Sequence, residues 1–197
     1  MMDGIDDILA ADGARLFDAV TDLLARRGLV TAEEIEARMR ATDAASPAQG
    51  ARMVARAWTD PAFRVRLLSD GTRAAEEMGI PMRGLPPLGV LENTSHLHHL
   101  VVCTLCSCYP RAVLGYPPFW FKSAAYRARA VRDPRGTIAE WGTALPEGTH
   151  IRVVDSTADY RWMVLPLRPD DTEDWDEDRL AGIVRDTDMI GVTVPAA

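Results

Sequence analysis

No stretch of the 197 residues is long and apolar enough to span a bilayer. Positive charge is scarce: 22 Lys and Arg stand against 29 Asp and Glu, a net charge of −7 and a pI near 5.1. Nucleic acid and anionic membranes need a basic surface, so neither is expected as a partner. The opening residues, Met1-Met2-Asp3-Gly4-Ile5-Asp6-Asp7, are acidic and lack the basic-then-apolar layout of a secretory signal. A cytoplasmic protein is expected, where thiols stay reduced and open to metal loading. No internal repeat is present. Cysteine is absent everywhere except in one short stretch.

That stretch, Val102-Cys103-Thr104-Leu105-Cys106-Ser107-Cys108, holds all three cysteines. Three thiols this close cannot all form disulfides, because the spacing strains the bridge and one thiol is left over. They can converge on one metal ion. In a tight turn the sulfurs of Cys103, Cys106 and Cys108 point to one side, and the amides of Ser107 and Cys108 face the same point. Three sulfurs and two deprotonated amide nitrogens leave one octahedral position open. Zinc is a rival, but a structural zinc closes with four ligands, and the fourth would have to be His98 or His99. An iron–sulfur cluster usually wants four cysteines. Spacing alone indicates a metal site and leaves the metal open.

Hydrophobic residues make up 47% of the chain, enough for a core, and the length suits one domain with a helical extension. Leu16, Val20, Leu23 and Leu24 share one face of a helix over about 11–27 that stops at Gly28. Thr31 and Glu34 form a capping box for a second helix, to about Arg40. Small residues from Ala44 to Gly50 read as a linker. A third helix carries Val54 and Trp58 inward to Thr59, and Asp60-Pro61 starts a fourth. Residues 79–90, rich in Gly and Pro, read as a hinge between an N-terminal helical segment, 1–79, and a metal-binding domain, 80–197. Leu97–Val102 reads as a strand feeding the cysteine turn. One helix is expected from Pro117-Pro118 to about Val131, and another after Asp133-Pro134 to Gly142. Ile151–Val154 and Trp162–Leu165 read as strands around a turn. Asp176 should cap a helix to about Arg185, and Met189–Val194 should form a last strand. The acidic run from Asp170 to Asp178 lacks the spacing of a calcium loop and reads as a solvated face. The fold class is α+β, helices segregated from a small antiparallel or mixed sheet.

The cysteine motif resembles that of the nitrile hydratase α-subunit family, which includes the related thiocyanate hydrolase subunit. The resemblance extends to Arg52–Pro61, Leu67–Thr72, Leu91-Glu92-Asn93-Thr94, His98-His99, Pro117–Lys122, Tyr126–Arg129, Asp133–Gly136, Asp155–Arg161 and Val164-Leu165-Pro166, so it covers about 28–195. It implies hydration of a nitrile to an amide, with metal-activated hydroxide or a Cys108 sulfenate as nucleophile. Cys106 and Cys108 would be oxidised to sulfinic and sulfenic acids, and Cys103 would remain a thiolate. Ser107 would support the turn or hydrogen-bond near the open position. Thr104 stands where cobalt members have Thr and iron members Ser, which favours cobalt(III) over iron(III).

The resemblance also implies a partner, either a β subunit or two short β-like subunits, which would supply two arginines to the oxidised sulfurs. Around the turn, Asp155 and Arg161 match residues that hold the metal loop. Asp159 replaces the usual Glu, and either His98 or His99 could relay protons. Tyr109 and Arg111 follow the turn, and Arg111 stands where the family usually has Trp. A wider or more polar substrate pocket results, suited to a bulky, nucleoside-like nitrile. Thiocyanate hydrolysis and a non-catalytic zinc module are the alternative functions.

Overall fold

A computed structural model describes residues 3–106 and 108–197 of the chain. They fall into two compact units, Met1–Asp43 and Ala44–Ala197. The first unit carries α1 (Asp3–Arg26) and most of α2 (Ala32–Ala44). Gly28 ends α1, and its N–H donates to Ala25 O at 2.9 Å. The capping box of α2 forms: Glu34 N–H donates to Thr31 Oγ1 at 3.1 Å, and Thr31 N–H to Glu34 at 2.8 Å. The apolar stripe of α1 is not buried; Leu16 is 66% and Phe17 52% exposed.

The second unit begins where a linker was expected, with α3 (Pro47–Thr59). Then come α4 (Pro61–Ser69) and α5 (Gly71–Glu77), started by Asp60 and Asp70, whose carboxylates accept main-chain N–H groups of the first turn. These three helices fall in the same compact unit as the cysteine turn. β1 (Leu88–Glu92) begins within the Gly- and Pro-rich stretch, and α4 and α5 cover it. Next come β2 (Leu97–Val102), α6 (Arg111–Leu114), α7 (Phe119–Lys122), α8 (Ala124–Arg132), α9 (Pro134–Glu140), β3 (His150–Asp155), β4 (Arg161–Leu165), α10 (Glu177–Ile183) and α11 (Asp186–Ile190).

Three expectations change. The strands form two parallel pairs, β1 with β4 and β2 with β3, rather than an antiparallel or mixed sheet. The link 156–160 does not close a hairpin: Ser156 N–H donates to Val102 O at 2.7 Å and Arg161 N–H to Pro87 O at 2.9 Å, so each end serves a different ladder. The helix expected over 117–131 breaks at Ser123, whose hydroxyl donates to Trp120 O and accepts from Tyr126 N–H, ending α7 and capping α8. The run from Met189 is no strand. Met189 and Ile190 end α11, and Gly191 turns the chain at φ 88°. A short apolar run, here buried from Met189 to Thr193, reads alike in either conformation.

The core of this unit gathers Met53 and Val54 of α3, Phe63 and Leu67 of α4, Leu100–Val102 of β2, Met163–Leu165 of β4 and Met189–Ile190 of α11. Each large side chain here contributes about 1.5–3 kcal/mol by leaving water. Trp58 is fixed against this core by a hydrogen bond from its indole N–H to Pro166 O at 2.9 Å. The result is a rigid β2, buried along His98–Val102, which delivers Cys103 at its C-terminal end.

Candidate metal centre

Cys103 follows β2 directly and is 1% exposed. The chain then turns back, so Cys106 N–H points at Cys103 Sγ, 3.2 Å away. Cys103 and Cys106 sulfurs lie 3.6 Å apart and Cys106 and Cys108 sulfurs 3.1 Å apart. All three fall within 4.8 Å of one another, and no disulfide joins any of them. Cys103 and Cys108 are buried and Cys106 is exposed, so the cluster is backed by protein and open on one side. Three convergent sulfurs fit a thiophilic transition ion. Burial pushes the Cys108 thiol up to about 12, with the neighbouring sulfurs adding to the rise and the Arg161 guanidinium opposing it. Metal binding at this thiol therefore releases a proton.

The turn is held from two sides. Asp155, the last residue of β3 and the partner of Val102 in the ladder, accepts from Thr104 N–H at 3.0 Å through Oδ1 and from the Thr104 hydroxyl through Oδ2. From α8, Arg127 Nη1 donates to Thr104 O at 3.4 Å. The Tyr126 hydroxyl donates to Val101 O at 2.7 Å, and burial holds it protonated. Thr104 is thus bound at its N–H, its hydroxyl and its carbonyl, one residue beyond the first sulfur.

The other expected residues sort as follows. Arg161 opens β4 near Cys108, and its Nη1 is buried without a partner. The Asp155 carboxylate is taken up by Thr104 rather than by Arg161. Asp159 is exposed on the bend between β3 and β4. Ser107 lies outside the described residues. Tyr109 and Arg111 line a cavity of about 220 Å³ with Met82, Leu85, Leu88 and Arg161. The Tyr109 hydroxyl is buried without a partner and held protonated by burial, while the Arg111 guanidinium sits 4.3 Å from the Tyr116 ring centre.

His98 and His99 are both buried. His98 uses both ring nitrogens, Nδ1 toward Asn93 and Nε2 toward Gly191 O, so it is not placed to close a zinc site. His99 Nδ1 also meets Asn93. Sequence reasoning missed Asn93, Tyr126 and Arg127 as parts of this region. All three stood in the stretches that carry the resemblance, but nothing in their spacing connects them to the turn.

The comparisons with known proteins agree with this geometry. The family model described as nitrile hydratase, alpha chain, matches residues 11–193. The low-molecular weight cobalt-containing nitrile hydratase subunit alpha of Rhodococcus rhodochrous is 48% identical over 178 residues, covering 90% of this chain and 86% of that one. Thiocyanate hydrolase subunit gamma of Thiobacillus thioparus is 42% identical over 188 residues, covering 90% and 77%. Among solved structures, a double mutant of the Fe-type nitrile hydratase from Comamonas testosteroni Ni1 superposes with a TM-score of 0.78 at 42% identity, covering 95% of this chain and 96% of that one.

Proposed function

The chain belongs to the nitrile hydratase α-chain family, and from that premise we propose that it is the metal-bearing subunit of a cytoplasmic enzyme that hydrates a nitrile to its amide. The observation that carries this is the convergence of the Cys103, Cys106 and Cys108 sulfurs on a turn tied down at Thr104. Cobalt(III) is the ion of this reading, in preference to iron(III), supported by Thr104 and by the cobalt-containing relatives. The three cysteines would hold it through sulfur, with the main-chain nitrogens of Ser107 and Cys108. When bound, the ion supplies a Lewis acid for the C≡N group and lowers the pKa of water beside it.

The chain's own residues set the stage for that chemistry. Asp155 and Arg127 fix Thr104, so the first sulfur keeps its place. Arg161 brings positive charge to Cys108 and offers an unpaired, buried N–H. That donor suits the negative oxygen of an oxidised Cys108. Tyr109 and Arg111 wall the neighbouring cavity. An arginine there gives hydrogen-bond donors to a bulky, nucleoside-like nitrile such as toyocamycin.

A β-type partner, or two short ones, completes the assembly. Leu105 at the tip of the cysteine turn is 86% exposed and Phe119 85%; apolar groups left in water this way suit burial under another subunit. The test is reconstitution with cobalt and β-type subunits, assayed against toyocamycin, a small aliphatic nitrile and thiocyanate. Amide from toyocamycin supports the reading. Ammonia and carbonyl sulfide from thiocyanate support the second one, favoured by the Thiobacillus thioparus relative. A zinc-loaded complex inactive on all three contradicts both.

A further inference from the structure

Asn93 follows β1 and is 5% exposed. Its side chain meets two consecutive histidines of β2. Asn93 Nδ2 lies 3.1 Å from His98 Nδ1, and Asn93 Oδ1 lies 2.8 Å from His99 N and 3.2 Å from His99 Nδ1. His98 Nε2 lies 2.7 Å from Gly191 O.

The directions of these bonds follow from one fixed point. A main-chain carbonyl only accepts, so His98 Nε2 carries the hydrogen and donates to Gly191 O. A neutral imidazole has one N–H, so His98 Nδ1 accepts, and the donor to it is the Asn93 NH₂ group. That fixes the amide orientation. Asn93 Oδ1 is then free to accept twice from His99, from its main-chain N–H and from Nδ1–H. The chain of bonds is matched for one tautomer of each ring and one amide orientation. A proton added at His98 Nδ1 would face the NH₂ group. Turning the amide over would move the conflict to His99, where two donors would meet a third.

We propose that Asn93 is a positioning residue of the metal centre, setting the tautomers of His98 and His99 and so locking β2, the strand that ends one residue before Cys103, to the corner at Gly191. The strand and that corner are already in close contact, since a Cβ on Gly191 would lie 1.9 Å from His99 O. The groups that act on the rings are the Gly191 carbonyl and Arg135 of α9 on His98, and Arg152 of β3, His98 itself and the Glu92 carbonyl of β1 on His99. Burial is the largest influence and holds both rings below their ordinary 6.5, as the bonding scheme requires; the guanidiniums add to it, while the Gly191 and Glu92 carbonyls oppose it. The link to the centre rests on the metal-bearing reading above; the tautomers do not.

The test is Asn93→Asp, a change of nearly identical shape. A carboxylate only accepts, so it favours a doubly protonated His98 that donates from both nitrogens. Nitrogen-15 spectra of histidine in the full chain report tautomer and titration midpoint directly. In the natural chain we expect His98 as the Nε2–H form and His99 as the Nδ1–H form. In Asn93→Asp the His98 midpoint should rise by roughly 1–3 pH units, the usual effect of an adjacent opposite charge. In the cobalt-loaded complex, the sulfur-to-cobalt absorption band of Asn93→Asp should then shift with pH as His98 titrates, while that of the natural protein stays constant. A natural-chain spectrum with hydrogen on His98 Nδ1 overturns the proposal without any variant. So does a midpoint unmoved in Asn93→Asp, which would make Asn93 a space-filler. A midpoint that moves while the band does not overturns the positioning role. A natural complex that takes up no cobalt sinks the metal-bearing reading and that role together, whatever tautomers are found.

Discussion

Replacing Gly191 by alanine tests how tightly β2 is pressed against the end of α11. Two costs add. The residue sits at φ 88°, and a side chain in the left-handed region costs about 1–2 kcal/mol. The new Cβ would also lie 1.9 Å from His99 O and 3.3 Å from Leu100 Cα. These are main-chain atoms of a buried strand, so relief requires shifting β2, and overpacking of this kind costs about 1–3 kcal/mol. The sum is about 2–5 kcal/mol, a large part of a domain's stability, and for a chain of this length it lowers Tm by about 4–20 °C. Gly142→Ala is the matched control. Gly142 has φ 81°, but its Cβ would meet open space, so only the first cost applies and Tm falls by about 2–8 °C. Thermal unfolding of both variants by circular dichroism separates the two contributions. Equal losses in the two would refute the packing argument.

Asp155→Ala frees Thr104 at two of its three anchors; cobalt affinity should fall about 10–100-fold, as for other partners that orient metal ligands, and a competition titration against a chelator measures it. Burial is the main cause holding His98 and His99 below their ordinary 6.5. The folded state therefore resists their protonation: stability is complete above pH 6.5 and declines as pH falls below it. Tm should be flat from neutral pH down to about 6.5 and fall from there, with a shallower fall in His98→Gln. Arg111→Trp restores the residue usual in the family; the ratio of kcat/KM for a small aliphatic nitrile over toyocamycin should rise at least about tenfold, equal to about 1.4 kcal/mol of discrimination.

Much of this molecule could be read locally. The caps at Thr31, Asp60, Asp133 and Asp176 work because each carboxylate or hydroxyl reaches an N–H two or three residues away. Leu97–Val102 has the bounds expected of it, and the cysteines share one turn. What the sequence hid depends on distant partners. β1 begins in a stretch of Gly and Pro and is a strand because β4 pairs with it. The parallel pairing of β2 with β3 follows from the crossover between them, on which local patterning is silent. The apolar face of α1 shows in its spacing, but its exposure at Leu16, Val20 and Leu23 does not. Asn93 and Arg127 stand 10 and 24 residues from Cys103 in the chain, and only the packing of β1 and α8 against β2 connects them to it.

Metal content, measured together with activity on the reconstituted complex, tests the central claim most directly. The natural chain should hold about one cobalt per subunit and turn over a nitrile, while a chain carrying both Cys106→Ala and Cys108→Ala should hold none and be inactive. Undiminished cobalt and undiminished turnover in that double variant would contradict the account.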